Sequence, residues 1–371
     1  MKITKLETFF VKPRWVFLKM HTDEGVVGWG EPIVEGWSRT VAAAVAEMGR
    51  YLIGQDPRRI EYHWQVLYRG GFYRGGPVLC SALSGVEQAM WDITGKWLGV
   101  PVHQLLGGRV RDRVRVYGHV YGETWGDYVE AGKENLRKGL TAVKTTPFKA
   151  VGFIESPEFL DEVVQRVASL RETVGKAVDI ALDFHGRVSP AMAVRLAKAL
   201  EPHCPMFIEE PCLPENVDAM ATIARSTTVP IATGERLFTK WGFREVLAKQ
   251  AAAVLQPDVS HAGGISEVRK IAAMGEAHYA SLAPHCPLGP ISLAACLQVD
   301  AAVPNFLCQE YVTLGEGYLT EPFVLSEGHV EVPAGPGLGI EVDEDAVAEK
   351  IYDGGWETPR WTHDDGSPAD W

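Results

Sequence analysis

Residues 179–190 read DIALDFHGRVSP, an apolar run that finishes on a carboxylate and an imidazole two positions apart, Asp183 and His185, beside Arg187. Side chains two apart on a strand share a face, so a buried strand over this run aims both groups into one mouth at its end. Segments of the same kind recur on either side: RVRVYGHV, TAVKTT, MFIEEP, PIATGE, VLQPDVS, LAPH and FLCQEY, with helical stretches between them. Spaced for the most part about 25 residues apart, they point to a parallel β/α barrel rather than an open sheet. After the eighth segment the chain turns extended and turn-rich (VTLGEGYLTEPFVLSEGHVEV, GPGLGIEV), so the last barrel helix is expected to be replaced by a return to the first domain.

That first domain begins with strand-like patterning, ITKLETFFV and then WVFLKMHTDEGVVGWGE, with a turn at Asp23-Glu24-Gly25. Helical patterning follows in SRTVAAAVAEMGRYLIG, with Ser38 as cap and Gly54 as stop, and in SALSGVEQAMWDITGKWLG, with Gly99 and Pro101 behind it. The expected fold is α/β: a modified (β/α)7β TIM-like barrel over residues 113–315 and an N-terminal α+β capping domain over 1–112, completed by a C-terminal segment, 316–371.

A chain of 371 residues with 46% hydrophobic content can bury a large core, and its formal charge of −12 disfavours nucleic-acid and anionic-membrane partners. An anionic substrate then needs a local cation. MKITKLETFFVKPRW lacks the apolar core and cleavage site of a secretory signal, and no apolar run approaches a membrane span, which reads as cytoplasmic. The six cysteines form no Cys-x-x-Cys pair, so free thiols filling the core are expected rather than disulfides or a structural zinc site.

If the apolar segments are barrel strands, chemistry belongs at their C-terminal ends. Asp183 and His185 end the third, Glu209 and Glu210 the fourth, Glu235 the fifth, Asp258 the sixth, His285 the seventh and Glu310 the eighth. Asp183, Glu209 and Glu235 form an oxygen-rich set suited to a hard divalent cation, Mg²⁺ before Zn²⁺. Each acid alone could equally pair with an Arg or cap a helix, but structural acids need no common address. Asp258 beside His285 would orient the ring and raise its basicity, making His285 a general-base candidate, while His185 across the mouth is a candidate acid. Glu310 reads either as support for an oxyanion or as a salt-bridge partner of Arg236 or Lys144. Lys144, with Thr146 on its face, ends the second strand and would neutralise substrate charge or pair with one of the acids. His261 is expected to point with its loop towards solvent.

With this set in place the chain resembles the mandelate racemase branch of the enolase superfamily over essentially its whole length. The likeness rests on LKMHTDEGVVGWGEP, YLIGQDPRRI and GFYRGGP near the start, and on LDFHGRVS, FIEEP, GER, LQPDVSHAGGI and LAPHCPLGPI in the barrel. GLGIEVDE and the Trp-rich WETPRWTHDDGSPADW carry it to the end. The resemblance implies Mg²⁺ on Asp183, Glu209 and Glu235, and proton abstraction beside a substrate carboxylate by His285 with Asp258. It further implies protonation of a departing hydroxyl by His185 and stabilisation of the enediolate by Glu310. The implied activity is dehydration of a sugar acid, an aldonate such as D-galactonate or gluconate, to a 2-keto-3-deoxy acid in a homo-oligomer. Much of the branch ends its second strand Lys-x-Lys, but here it ends Lys144-Thr145-Thr146. Epimerisation or racemisation needs bases on both faces, so losing that lysine tilts the expectation towards dehydration. A binding protein on the same scaffold would need no His/Asp dyad. Arg14, Tyr73 and Arg74 in cap loops, with Thr146, are the candidate substrate contacts, and Trp15 is expected to pack between domains.

Overall fold

The computed structural model, which describes residues 1–122 and 124–371, opens on an antiparallel meander of β1 (Ile3–Val11), β2 (Trp15–Thr22) and β3 (Val27–Gly30). Helices α1 (Ser38–Leu52), α2 (Ile60–Arg69), α3 (Pro77–Leu98) and α4 (Val102–Leu105) complete the cap. The expected turn holds Gly25 at φ 78°. Gly30 of β3 lies against the α3 backbone at Gly85, where a Cβ would strike a carbonyl, so the helix seats directly on the sheet. Ser38 is the first helical residue rather than the cap, because Trp37 holds the N-cap position without a side-chain bond. Helix α3 starts four residues before the expected Ser81, since Pro77 fits the first helical turn, and it ends on Gly99 at φ 72°. The sequence reading passed over α2.

Barrel strands β4 (Arg113–His119), β5 (Ala142–Thr145), β6 (Asp179–Asp183), β7 (Phe207–Glu209), β8 (Ile231–Thr233), β9 (Val254–Leu255), β10 (Ser281–Leu282) and β11 (Gln309–Glu310) follow in turn. Between them run α5 (Trp125–Arg137), α6 (Pro157–Val174), α7 (Pro190–Leu200), α8 (Val217–Arg225), α9 (Thr239–Ala248), α10 (Ile265–Ala277) and α11 (Pro290–Ala302). Successive strands pair in parallel from β4 to β10, and β11 returns to pair with β4, as a (β/α)7β barrel requires. Inside, Tyr117, Ala142, Ala181, Phe207, Ala232, Val254, Ala283 and Cys308 form one buried layer, each from a different strand or strand end. Two large rings among small residues fill the interior and make a floor. Strand periodicity puts His119, Lys144, Asp183, Glu209, His285 and Glu310 on the same inward face two residues beyond that floor.

No helix follows β11 in the barrel. The chain instead forms the hairpin β12 (Leu325–Ser326) and β13 (His329–Glu331), which pairs with the start of β4, then α12 (Glu344–Ala348), β14 (Trp361–Thr362) and β15 (Pro368–Ala369). It rejoins the cap: Lys12 N donates to Lys350 O at 2.9 Å, Tyr352 N to Phe10 O at 3.0 Å, and Arg39 meets Asp353 at 2.7 Å. All six cysteines are free and five are buried; the exception to the core-filling expectation is Cys204, exposed at a left-handed turn of φ 49°. Among the described residues no helix is long and apolar enough to cross a membrane.

Buried polar groups of the cap grip the barrel. Glu31 accepts from Gly289 N (2.6 Å) and Ser292 N (2.9 Å) at the start of α11, and Glu87 accepts from Ile265 N (2.8 Å) and Ser266 N (2.9 Å) at the start of α10. Each carboxylate thus takes up N–H groups that a helix start leaves without an internal partner. Helix α3 also holds the loop after β9: Ser84 Oγ accepts from Gly263 N at 2.9 Å, Gln88 Nε2 donates to Ser260 Oγ at 3.0 Å, and Ser81 Oγ meets His261 Nδ1 at 2.8 Å. The cap therefore fixes the loop that carries Asp258. Replacing Glu87 by alanine is expected to cost about 3 kcal/mol, because the buried N–H groups of Ile265 and Ser266 lose their acceptor, and the loss is read as a lowered urea midpoint at unchanged slope.

Candidate active site

The strand ends open into a cavity of about 580 Å³ whose wall includes Arg14, Lys144, Thr146, Asp183, His185, Glu235, His285 and Glu310. Glu209, fully buried, lies just beneath and joins the set through Lys144. Its backbone is in register with Asp183 on the neighbouring strand.

Asp183 is the last residue of β6, but His185 reaches the cavity by a different route from strand alternation. It adopts a left-handed conformation at φ 56°, its N–H donates to Asp183 Oδ1 at 2.8 Å, and the turn is completed by Gly186 at φ 69°. A Cβ on Gly186 would collide with Arg236 Nη2, which is itself held by Glu210 Oε2. Gly186→Ala is accordingly expected to displace the His185 turn, lowering turnover by about tenfold or more while most stability survives; kinetics beside a thermal melt reads both.

Lys144 Nζ stands between acids, 2.9 Å from Glu209 Oε1, 2.8 Å from Glu310 Oε1 and 3.8 Å from Asp183 Oδ2. Burial opposes its charge, but Glu209 and Glu310 outweigh that and hold the amine well above the usual lysine range. Burial likewise works against the charge on Glu310, yet Lys144, His285 and His119 keep its carboxyl well below the usual carboxylate range. Glu310 therefore takes the salt-bridge alternative through Lys144, while Arg236 pairs with Glu210. For Glu235, burial is outweighed by His285, His185, Arg236 and Lys144, which bring it down to about 2.

His285 Nδ1 meets Asp258 Oδ2 at 2.8 Å, and its Nε2 faces Glu235 Oε2 at 3.3 Å and Glu310 Oε2 at 3.9 Å. Burial resists charge on this ring, but Glu235, Glu310 and Asp258 together hold it well above the ordinary histidine range. Asp258 is fixed in turn by Ser260 N, 2.7 Å from Oδ1.

Among the described residues no three acidic, histidine or cysteine side chains are already gathered around a cation position, because the Lys144 ammonium stands among the acids. Glu209 Oε2 nevertheless lacks any hydrogen bond, and Glu235 Oε2 has only the ion-pair contact with the His285 ring at 3.3 Å. Carboxylate oxygens left in this state beside Asp183 fit a hard cation.

Three expectations need correction. Tyr73 is 86% exposed, its ring edge-on to Phe72, and neither it nor the exposed Arg74 reaches the cavity wall; Pro77, at the start of α3, is where that stretch meets it. Only 8% of His261 is exposed, since Ser81 of α3 draws it under the cap, and it lines the cavity 3.8 Å from Asp258. The inward face also includes His119, which the sequence reading missed. Burial pulls it down to about 4, and it stands 3.3 Å from Glu310 and 2.7 Å from Tyr121 Oη. Alternation along RVRVYGHV, with Tyr117 and His119 on one face, carried that signal. Of the cap residues, Arg14 lies on the wall, its guanidinium 3.3 Å from Pro287 O and over the Trp356 ring at 5.1 Å, while Trp15 packs on Phe17 and Tyr318.

Residues 7–107 match the mandelate racemase / muconate lactonizing enzyme N-terminal domain and residues 127–346 the enolase C-terminal domain-like family. Proteins named D-galactonate dehydratase from Ralstonia nicotianae and Verminephrobacter eiseniae are 50% and 51% identical to this chain, over 100% of both partners in each case. The crystal structure of a mandelate racemase/muconate lactonizing enzyme from Sulfitobacter sp. superposes with a TM-score of 0.91 at 33% identity, covering 97% of this chain and 99% of that one. One from Jannaschia sp. CCS1 does so with a TM-score of 0.90 at 33% identity, over 95% and 98%. The chain belongs to the mandelate racemase/muconate lactonizing enzyme family of the enolase superfamily.

Proposed function

We propose that this chain is a hydro-lyase that removes water from a sugar acid, an aldonate such as D-galactonate, to leave a 2-keto-3-deoxy acid. The carrying observation is the His285–Asp258 pair at 2.8 Å opening on the same cavity as His185 and the carboxylate set. Full-length relatives named D-galactonate dehydratase support the substrate class.

Enolase superfamily enzymes generally use Mg²⁺. Here Asp183, Glu209 and Glu235 would hold it, consistent with Glu209 Oε2, which has no hydrogen bond, and with Glu235 Oε2, which faces the His285 ring without one. When bound, the ion supplies positive charge against the substrate carboxylate and against the second negative charge that develops there.

His285 takes the proton from the carbon beside that carboxylate. Glu235 is the largest carboxylate influence keeping a proton on this ring, so committing Glu235 elsewhere frees the ring to act as base while Asp258 still orients it. The electron pair left behind is delocalised into the carboxylate as an enediolate, with the Lys144 ammonium, held by Glu310, beside it. The pair then returns to form the C2–C3 double bond as the C3–O bond breaks, and His185 gives the departing hydroxyl its proton. One water leaves, and the enol becomes the ketone. Arg14 and Thr146 on the wall are the proposed contacts to the rest of the substrate.

We infer also a homo-oligomer in the cytoplasm, built from a cap over 1–112, a barrel over 113–315 and a returning segment over 316–371, in keeping with the first barrel strand beginning at Arg113. Incubating the protein with Mg²⁺ and a panel of aldonates, galactonate and gluconate among them, is expected to yield a 2-keto-3-deoxy acid from at least one. Turnover of none defeats the proposal; deuterium uptake at C2 with all hydroxyls retained makes the chain an isomerase.

A further inference from the structure

We propose that the backbone oxygen of Trp371 is a positioning group for His185, which makes the C-terminal tail part of the active site; this rests on the assignment of His185 as the acid. Three contacts tie the tail to the barrel mouth. The Arg14 guanidinium lies over Trp356, the Arg187 guanidinium lies 4.4 Å over Trp361, and the Trp371 ring meets the His185 ring edge-on at 5.7 Å. Thr358 and Trp371 both line the cavity. The short hairpin of β14 and β15, braced by His363 N donating to Ser367 O at 2.9 Å, turns the last residues back over His185.

At the end of that path Trp371 O lies 2.6 Å from His185 Nδ1. A carbonyl oxygen can only accept, so Nδ1 carries the hydrogen and Nε2 is left to exchange a proton with the substrate. Arg187 Nη2, 3.2 Å from the same Nδ1, can only donate and cannot share in that hydrogen. The tail oxygen and the guanidinium thus compete for one nitrogen and favour opposite placements of its hydrogen. With the tail oxygen gone, Arg187 becomes the donor to Nδ1; a ring that accepts there cannot carry hydrogen on both nitrogens, and it is the doubly protonated ring whose Nε2 hydrogen can pass to a leaving hydroxyl. Base and acid lie on opposite sides of the cavity, so the effect falls on one step alone.

A chain ended at Asp370 is compared with Trp371→Ala, which removes the ring but keeps the backbone oxygen. In D₂O the shortened chain is expected to go on exchanging the C2 hydrogen of the aldonate through His285, while kcat for elimination falls about 100-fold, the scale of one general acid. The alanine variant, which loses the ring contact but keeps the oxygen, is expected to lose less elimination than the shortened chain. Exchange and elimination falling in parallel, or elimination unchanged on shortening, overturns the proposal. Independently of turnover, two-bond ¹H–¹⁵N spectra of the full chain, with His185 assigned by loss of its signal in His185→Gln, are expected to show hydrogen on Nδ1 and to lose that signature in the shortened chain. A ring with hydrogen on Nε2 alone in the full chain overturns it as well. If the full chain converts no aldonate, the functional reading fails, whereas the spectrum still decides whether Trp371 holds the ring.

Discussion

Replacing His285 by asparagine is expected to lower kcat/KM for dehydration by about 10³-fold and to abolish hydrogen exchange at C2 with it. Asparagine is smaller but carries an amide N–H near the position of Nδ1 and can still donate to Asp258, which His285 meets at 2.8 Å, so the buried acid stays in place. What disappears is the one nitrogen able to take a proton. His185→Asn should also stop dehydration but leave exchange intact, because it removes the acid on the far wall and spares the base. Asp258→Asn should fall between wild type and His285→Asn, since the base survives but loses its orienting carboxylate. Mass spectrometry of substrate recovered from D₂O, beside product formation, separates the three. Persistent exchange in His285→Asn would show that another group is the base.

Chelation is expected to reduce dehydration below detection, and Mg²⁺ to restore it. The acids around Lys144 supply the reason. Asp183, Glu209 and Glu310 lie within 4 Å of one ammonium, Glu235 faces His285, and an oxygen of each of Glu209 and Glu235 has no hydrogen bond. A buried carboxylate surplus of this kind costs several kcal/mol unless a cation joins it. Binding should therefore also stabilise the fold, by about 2.7 kcal/mol at a hundredfold excess of Mg²⁺ over Kd. Calorimetric titration of wild type and Glu209→Ala with Mg²⁺ alone reads this without turnover. Equal binding by the two proteins would remove Glu209 from the ligand set.

Period-two reasoning along the barrel strands carried far, for a physical reason. A buried parallel strand must place alternate residues inside the barrel, so a polar residue that interrupts the apolar pattern at a strand end has little choice but to face the mouth. This placed Lys144, Asp183, His285 and Glu310 on the cavity wall and Glu209 directly beneath it. The same rule, extended to RVRVYGHV, would have included His119. It gave the right position for His185 by an incomplete route, because the residue lies past the strand in a left-handed turn whose shape depends on Gly186 and Arg236.

Tyr73 and Arg74 show where local reading stops. GGFYRGG announces a mobile-looking cap loop rich in recognition groups, yet only packing of α2 and α3 decides which way it projects, and these side chains project into solvent. His261 is the reverse case, drawn under cover by a serine 180 positions away.

The amino-acid order by itself determined the barrel, its cap, and that Asp183, Glu235, His285 and Glu310 share one rim, since hydrophobic period and strand direction are local properties of the chain. Tertiary structure alone decided that the cap clamps the Asp258 loop, that Lys144 stands among the carboxylates, and that Trp371 reaches the Nδ1 of His185. Those contacts join residues up to hundreds of positions apart, and they exist only once the burial of two domains and a returning tail has fixed their distances.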